Sequence, residues 1–181
     1  MKRVVTGRDR SDKSVFVMEG APVSGRAMEG IPNFRIDLVW GTEGVPTLPP
    51  AEEDPTLGGR KFFPGPGGTR FLVVTFPPAA AIENAAAQGV DVAAAEHAFN
   101  ASFPGLSEAM EGAEAPGMHT TQTVDYGVVV SGEMHLELDD GKQVHLRQGD
   151  CVVQNGTRHA WRNLSDREAV MAFVAVGAKA L

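Results

Sequence analysis

Apolar and polar side chains alternate with a period of two through much of the C-terminal half of the chain. From Thr121 the side chains of an extended strand alternate in direction, which puts His119, Thr121, Thr123, Asp125, Gly127 and Val129 on one face and Gln122, Val124, Tyr126 and Val128 on the other. His119 and Asp125 are expected to look the same way. Ser131-Gly132 ends that strand, and Met134, Leu136 and Leu138 then alternate with Glu133, His135 and Glu137, as in a half-buried strand. Asp139-Asp140-Gly141 supplies a hairpin turn, after which Val144 and Leu146 resume the apolar face. Pairing Leu138 with Val144 sets Glu137 opposite His145 and His135 opposite Arg147, all turned away from the apolar side. Further turns at Gly149-Asp150 and Asn155-Gly156 bound a strand over 151–154. The segment after them carries His159, Trp161 and Asn163 on one face and Arg158 and Arg162 on the other.

Upstream, 2–5, 14–18 and 34–40 are β-prone runs, the first two separated by a charged turn at 9–13. They are expected to form an outer sheet. Residues 41–68 are rich in Pro, Gly and acid and cannot form a regular element, so they read either as a covering loop or as a floppy excursion. A strand over 70–76 follows, stopped by Pro77-Pro78. The alanines of 79–110, interspersed with Ile82, Val92, Phe99, Phe103, Leu106 and Met110 and interrupted at Gly89 and Pro104-Gly105, predict two or three short helices packed on the outside of the sheets. A last strand runs over 169–176.

The stretch 116–163 resembles the cupin family. In the first motif of that family a His-x-His pair is followed by a Glu and a strand-closing Gly, and His119, Thr121, Asp125 and Gly132 fall at those spacings, with Thr for the second His and Asp for the Glu. Gly149, Gly156, His159 and Asn163 match the second motif, although the interval from Gly149 to His159 is one residue shorter than usual and Gln154 stands where Pro is expected. The resemblance implies an all-β fold, the cupin double-stranded β-helix or jelly roll, with additional N-terminal strands and a short helical insert. It makes 1–181 a single domain, with N-terminal strands and a long loop over 1–78, the helical insert over 79–115 and the core over 116–181. It also implies a homodimer, in which N-terminal strands add to a neighbouring subunit's sheet.

Composition narrows the partners. The chain has 181 residues, enough to bury a core without staples, and a formal net charge of -7. Arg147, Arg158, Arg162 and Arg167 lie among acids and form no basic stripe, so nucleic acid is not expected. The one cysteine, Cys151, excludes an internal disulfide and is expected to be a buried small hydrophobe. Residues 1–14 have no apolar segment behind their cations, and no run has the length of a membrane span. A soluble, cytoplasmic protein without membrane contact is the expectation.

Within the resemblance, two imidazoles and a carboxylate from His119, Asp125 and His159 would hold a divalent ion such as Fe, Mn, Ni or Zn, with open positions for water or substrate. Thr121 and Trp161 would border the substrate, Trp161 being equally consistent with core packing. Tyr126, of opposite parity, is expected between the sheets and the helices. Gly127 either removes bulk from a cavity or marks a bulge. His135 and His145 are expected in solvent and His97 at the surface or in helix packing. Two functions follow: a metal-dependent enzyme acting on a small organic substrate, of the oxygenase, isomerase, lyase or decarboxylase type, or a metal-free protein that binds a small molecule as sensor or carrier. A storage role fits least, in the absence of amide-rich tracts. For the enzyme, metal affinity is expected to fall as pH drops through about 6 to 7, where an ordinary imidazole protonates.

Overall fold

The computed structural model describes residues 1–49, 53–112 and 114–179. Strands β1 (Arg3–Arg8) and β2 (Ser14–Gly20) form a hairpin. They are followed by β3 (Ser24–Ala27), β4 (Arg35–Thr42), β5 (Thr69–Phe76), helices α1 (Ala79–Ala87) and α2 (Val92–Ala101), then β6 (Thr123–Ser131), β7 (Glu133–Glu137), β8 (Gln143–Arg147), β9 (Cys151–Asn155), β10 (Ala160–Arg162) and β11 (Ala169–Gly177). β3, too short and too rich in Ser, Gly and Arg to register as β-prone, was not expected. Among the described residues no helix is long and apolar enough to cross a membrane.

A six-stranded sheet in the order β3-β4-β5-β11-β6-β9 faces a three-stranded sheet in the order β10-β7-β8. The β1-β2 hairpin forms a separate two-stranded sheet and does not extend either of them. The two facing sheets make the double-stranded β-helix that the alternation and the motifs imply. In the β7-β8 hairpin the register differs by two residues from the expected one: Leu136 pairs with Val144 and His135 with His145. The cause is the turn. Leu138 leaves the ladder, its N–H donating to the Lys142 carbonyl across a tight helical turn at Asp139–Gly141. The loop is thereby shifted by one residue, to 138–142 from the expected 139–143.

Residues directly opposite in a sheet share a face, so the register shows which side chains form the concave surface. Leu38 pairs with Leu72, Leu72 with Phe173, and Phe173 with Gly127. Ile36, Val74 and Met171 form the next row. Over β6 and β11 this surface meets Met134, Leu136, Leu146 and Trp161 from the smaller sheet. Over β4 and β5 it meets Ala85, Phe99, Phe103 and Leu106 from the helical segment, with Phe62. The helices therefore lie in the inner layer beside the small sheet, not on the outside as expected. The reason is extent: three strands cannot cover six, and the uncovered apolar half needs another partner. Edge-to-face rings stitch this half together, Phe34 to Phe76 and Phe99, and Phe99 to Phe103, with centroids 5.3 to 5.9 Å apart.

Three residues stand differently from expectation. Tyr126 lies on the outer face, away from the helices, and is exposed. Cys151 is exposed too, on the outer face of edge strand β9. Gly127 sits in regular register, neither opening a cavity nor marking a bulge, because a Cβ there would come within 3.0 Å of the Phe173 ring. The described part of 41–68 is anchored at points, while Val45, Leu48 and Leu57 stay exposed: Arg3, buried, pairs with Asp54, Thr56 is buried, and Arg70 donates to the Lys61 carbonyl.

Candidate metal and ligand site

His119 and His159 meet at the end of the concave surface. Their backbones exchange a pair of hydrogen bonds, His119 N–H to the His159 carbonyl at 2.9 Å and the reverse at 3.0 Å, which fixes the two side chains opposite each other. The rings lie 4.1 Å apart between centroids and are inclined at 51°. Each Nδ1 is spent on a carbonyl, Gly117 for His119 at 3.0 Å and Thr157 for His159 at 2.9 Å. A carbonyl oxygen only accepts, so both Nδ1 atoms carry the proton and both Nε2 atoms keep a lone pair in the neutral rings. This is the outer-shell anchoring that orients imidazoles for a ligand at Nε2.

Electrostatics keeps them neutral. Burial, and then the like charge of His119, push the His159 pKa down to about 4, with the Thr157 carbonyl opposing. Burial also lowers the His119 pKa, against the pull of the Gly117 carbonyl and Glu111. Protonation of His159 therefore falls below the window of pH 6 to 7 expected for an ordinary imidazole.

Asp125 does not join the two histidines. Among the described residues no three His, Cys, Asp or Glu side chains gather in a metal-binding group. The strand expected from Thr121 is broken by a bend at Gln122, and β6 starts at Thr123. His119 pairs with the segment before β10, whereas Asp125 pairs with Gln154 and Ala175 inside the large sheet. Its Oδ1 is buried without a hydrogen-bond partner, and burial raises its pKa against the opposing Thr123 hydroxyl. An orphaned carboxylate oxygen in a buried place is the kind of atom that a bound ligand or ion satisfies.

Thr121 is buried, and its Oγ1 accepts a hydrogen bond from the Thr123 hydroxyl at 2.7 Å. Trp161 stands edge-on to His159 at 5.8 Å and packs on Phe173 at 5.3 Å. It belongs to the apolar core and walls the His pair at the same time. Thr121 instead borders a cleft of about 220 Å³ with Thr123, Asn155, Gly156 and Lys179, a cleft that Trp161 does not line. Gln154 is a residue that motif reading passed over. Buried, it donates from Nε2 to the Thr157 carbonyl at 3.3 Å, the same carbonyl that holds His159 Nδ1. An inward-facing amide in an otherwise apolar strand was the available signal.

The other histidines lie elsewhere. His135 and His145 stack on the outer face of the small sheet at 4.6 Å and 7°, with His145 Nε2 bonded to Glu133 at 3.1 Å. His145 is exposed as expected, but His135 is half-buried, its Nδ1 without a partner. His97 is exposed on α2.

Residues 105–176, which contain both motif stretches and the His pair, match the family described as Cupin domain. This segment, about two-fifths of the chain, is a cupin domain by that match. Several fungal proteins are similar to the chain over part of its length. The chain is 45% identical over 65 residues to "Oryzines biosynthesis cluster protein J" of Aspergillus oryzae, covering 35% of this chain and 36% of that one. It is 49% identical over 63 residues to "Phomopsin biosynthesis cluster protein C'" of Diaporthe leptostromiformis, covering 34% and 33%. It is 44% identical over 54 residues to "Cupin-domain-containing oxidoreductase srdD" of Neurospora crassa, covering 30% and 27%. The matched segment thus spans about a third or less of the length of these curated relatives. Among solved structures, an RmlC-like cupin family protein with a double-stranded β-helix fold from Methanocaldococcus jannaschii aligns at 13% identity with a TM-score of 0.38, over 60% of this chain and 70% of that one.

Proposed function

We propose that this cupin is a metal-dependent enzyme acting on a small organic substrate, of the oxidoreductase type named for several relatives of its cupin segment. The observation that carries this reading is the His119–His159 pair. Two imidazoles held neutral, with both Nδ1 protons anchored on backbone carbonyls, leave two Nε2 lone pairs in one small buried region. Their donor chemistry fits Fe, Mn, Ni or Zn, with water or substrate oxygens filling the positions that Asp125, which stands outside the pair, leaves open. A divalent ion held there supplies Lewis acidity toward a carbonyl or enolate oxygen. The chain's own residues orient and shield: Gln154 and Thr157 hold the His159 ring, and Trp161 and Phe173 close one wall against water.

A second reading, a metal-free cupin that binds a small molecule as sensor or carrier, is favoured by one observation: Asp125 stands outside the histidine pair among the described residues. One experiment separates the two. Protein purified without chelator is subjected to elemental analysis beside His119→Ala/His159→Ala and Asp125→Ala variants. The enzyme reading expects near-stoichiometric metal in the wild type and loss of most of it in the double histidine variant. Equal metal in both defeats the reading. Asp125→Ala is expected to retain its metal, and loss there would bring the carboxylate into the ligand set.

A further inference from the structure

Each histidine of the pair is anchored through Nδ1, but the two anchors are built differently. The Thr157 carbonyl that holds His159 is also bonded by the Gln154 amide. The Gly117 carbonyl that holds His119 lies in a tight turn, and it stays in place only as long as the turn keeps its form. Ala115, Pro116, Gly117 and Met118 make that turn, closed by the Met118 N–H on the Ala115 carbonyl at 3.0 Å. Pro at its second position and Gly with a φ of +75° at its third make it type II. Type I and type II turns differ by a flip of the central peptide, so the direction of the Pro116 carbonyl separates one from the other.

Arg162 holds that carbonyl. Its Nη1 donates to the Pro116 oxygen at 2.7 Å and its Nε to Glu137 Oε2 at 2.8 Å. Glu137 and Arg162 are diagonal neighbours on the outer face of the small sheet, where Ala160 pairs with Glu137 and Arg162 with His135. A planar, donor-only guanidinium fixed by a carboxylate on the adjoining strand is a rigid prop. A Cβ on Gly117 would come within 3.2 Å of Nη1, so the guanidinium lies against bare glycine backbone. The next carbonyl along the chain is the one that accepts from His119 Nδ1, at 3.0 Å. We infer that Arg162 is a positioning residue for His119: by fixing the Pro116-Gly117 turn it keeps the His119 ring in its Nδ1–H form, with the lone pair on Nε2. Without that carbonyl the ring is free to take the other tautomer. The inference rests on the reading of the histidine pair as a donor site and extends it to a side chain on the far side of β10.

The isotope-labelled full chain, treated with chelator, is studied at about pH 7.5, where ordinary imidazoles are neutral, by long-range proton–nitrogen spectra that report the tautomer of each ring. Arg162→Ala, Gly117→Ala and Arg158→Ala are run beside it. Gly117→Ala attacks the same turn from its other side, since alanine resists a positive φ. Arg158 is the control: it bonds Glu111 and Asp139, and no carbonyl of the turn among the described residues. The expected result is Nδ1–H at both His119 and His159 in the wild type and in Arg158→Ala. In Arg162→Ala and Gly117→Ala, His119 alone should shift toward the Nε2–H form. Cobalt(II) affinity, read from its absorption, should fall about 10–100-fold in Arg162→Ala. An unmoved His119 in both turn variants overturns the inference and leaves the pair as a donor site. So does an equal shift in Arg158→Ala, which would mean general loosening, or a cobalt affinity, measurable in the wild type, that Arg162→Ala leaves unchanged. A wild type with the expected tautomers that binds no cobalt defeats the metal reading of the pair and leaves the inference standing on the tautomers. Should Arg162→Ala fail to fold, the His119 signal of Gly117→Ala decides: a shift upholds the inference, and Nδ1–H retained overturns it.

Discussion

Two imidazoles facing each other behind apolar walls set how the molecule responds to acid. His159 titrates at about 4 in the folded chain against an ordinary 6.5, so between those values the unfolded chain binds a proton that the folded chain refuses. The stability this confers is complete above about pH 6.5 and is lost as pH falls toward 4, by up to about 3 kcal/mol for this one residue. The His119 shift acts in the same direction. Urea midpoints of chelator-treated protein should fall from pH 7 to pH 5, and His159→Gln should flatten the fall; parallel curves would contradict it. Gly127 offers a steric counterpart. An alanine Cβ would meet Phe173 Cε1 at 3.0 Å and Cδ1 at 3.1 Å, so Gly127→Ala should cost about 1–3 kcal/mol, and Phe173→Leu in the same chain should restore part of it. Thermal midpoints of the two variants check this. At this scale the sequence was readable wherever alternation held. His159 and Trp161 do share a face, but the projection from His119 to Asp125 failed at Gln122, where a single bend interrupts the period. Nothing in the spacing of those residues announces a bend.

The strands were largely legible because each carries its own period, whereas their partners are chosen by tertiary fit. β11 is an almost unbroken apolar run and β5 is apolar over its centre, Phe71 to Val74, and both lie in the middle of the large sheet with apolar residues on both faces. The helical segment was legible as helix from its alanines, but its side of the sheet was not. That choice depends on how much of the concave surface three short strands leave bare, a quantity that no local pattern records. It also decided the fate of Tyr126, which lost its expected cover once the helices took the other face. Phe99 is the measurable link between the layers, buried among Phe34, Phe103 and the β4-β5 surface. Phe99→Ala should cost about 3–5 kcal/mol by leaving a cavity there, a loss well above that of an exposed helix substitution. Denaturant titration of the variant gives the number, and a loss under about 1 kcal/mol would show that the helices are only loosely attached.

Helices and small sheet share the rings of Phe76 and Phe173, which touch both halves of the core. The whole molecule should therefore unfold as one unit, and tryptophan fluorescence and far-UV ellipticity should trace one transition; separate midpoints would mean that the helical half melts alone. The cupin match begins at residue 105, yet β4, β5 and both helices lie before it and complete the interior that the matched segment leaves open. The position of β11 has a further effect, on the order in which the molecule can be assembled. It lies between β5 and β6, pairing with each along nearly its whole length, although it is synthesised after both. A growing chain on the ribosome thus holds two half-sheets with facing raw edges and no means of joining them until the residues around 170 have emerged. Through that interval the nascent chain is open to pairing with a stranger, and completion comes as an insertion between waiting neighbours.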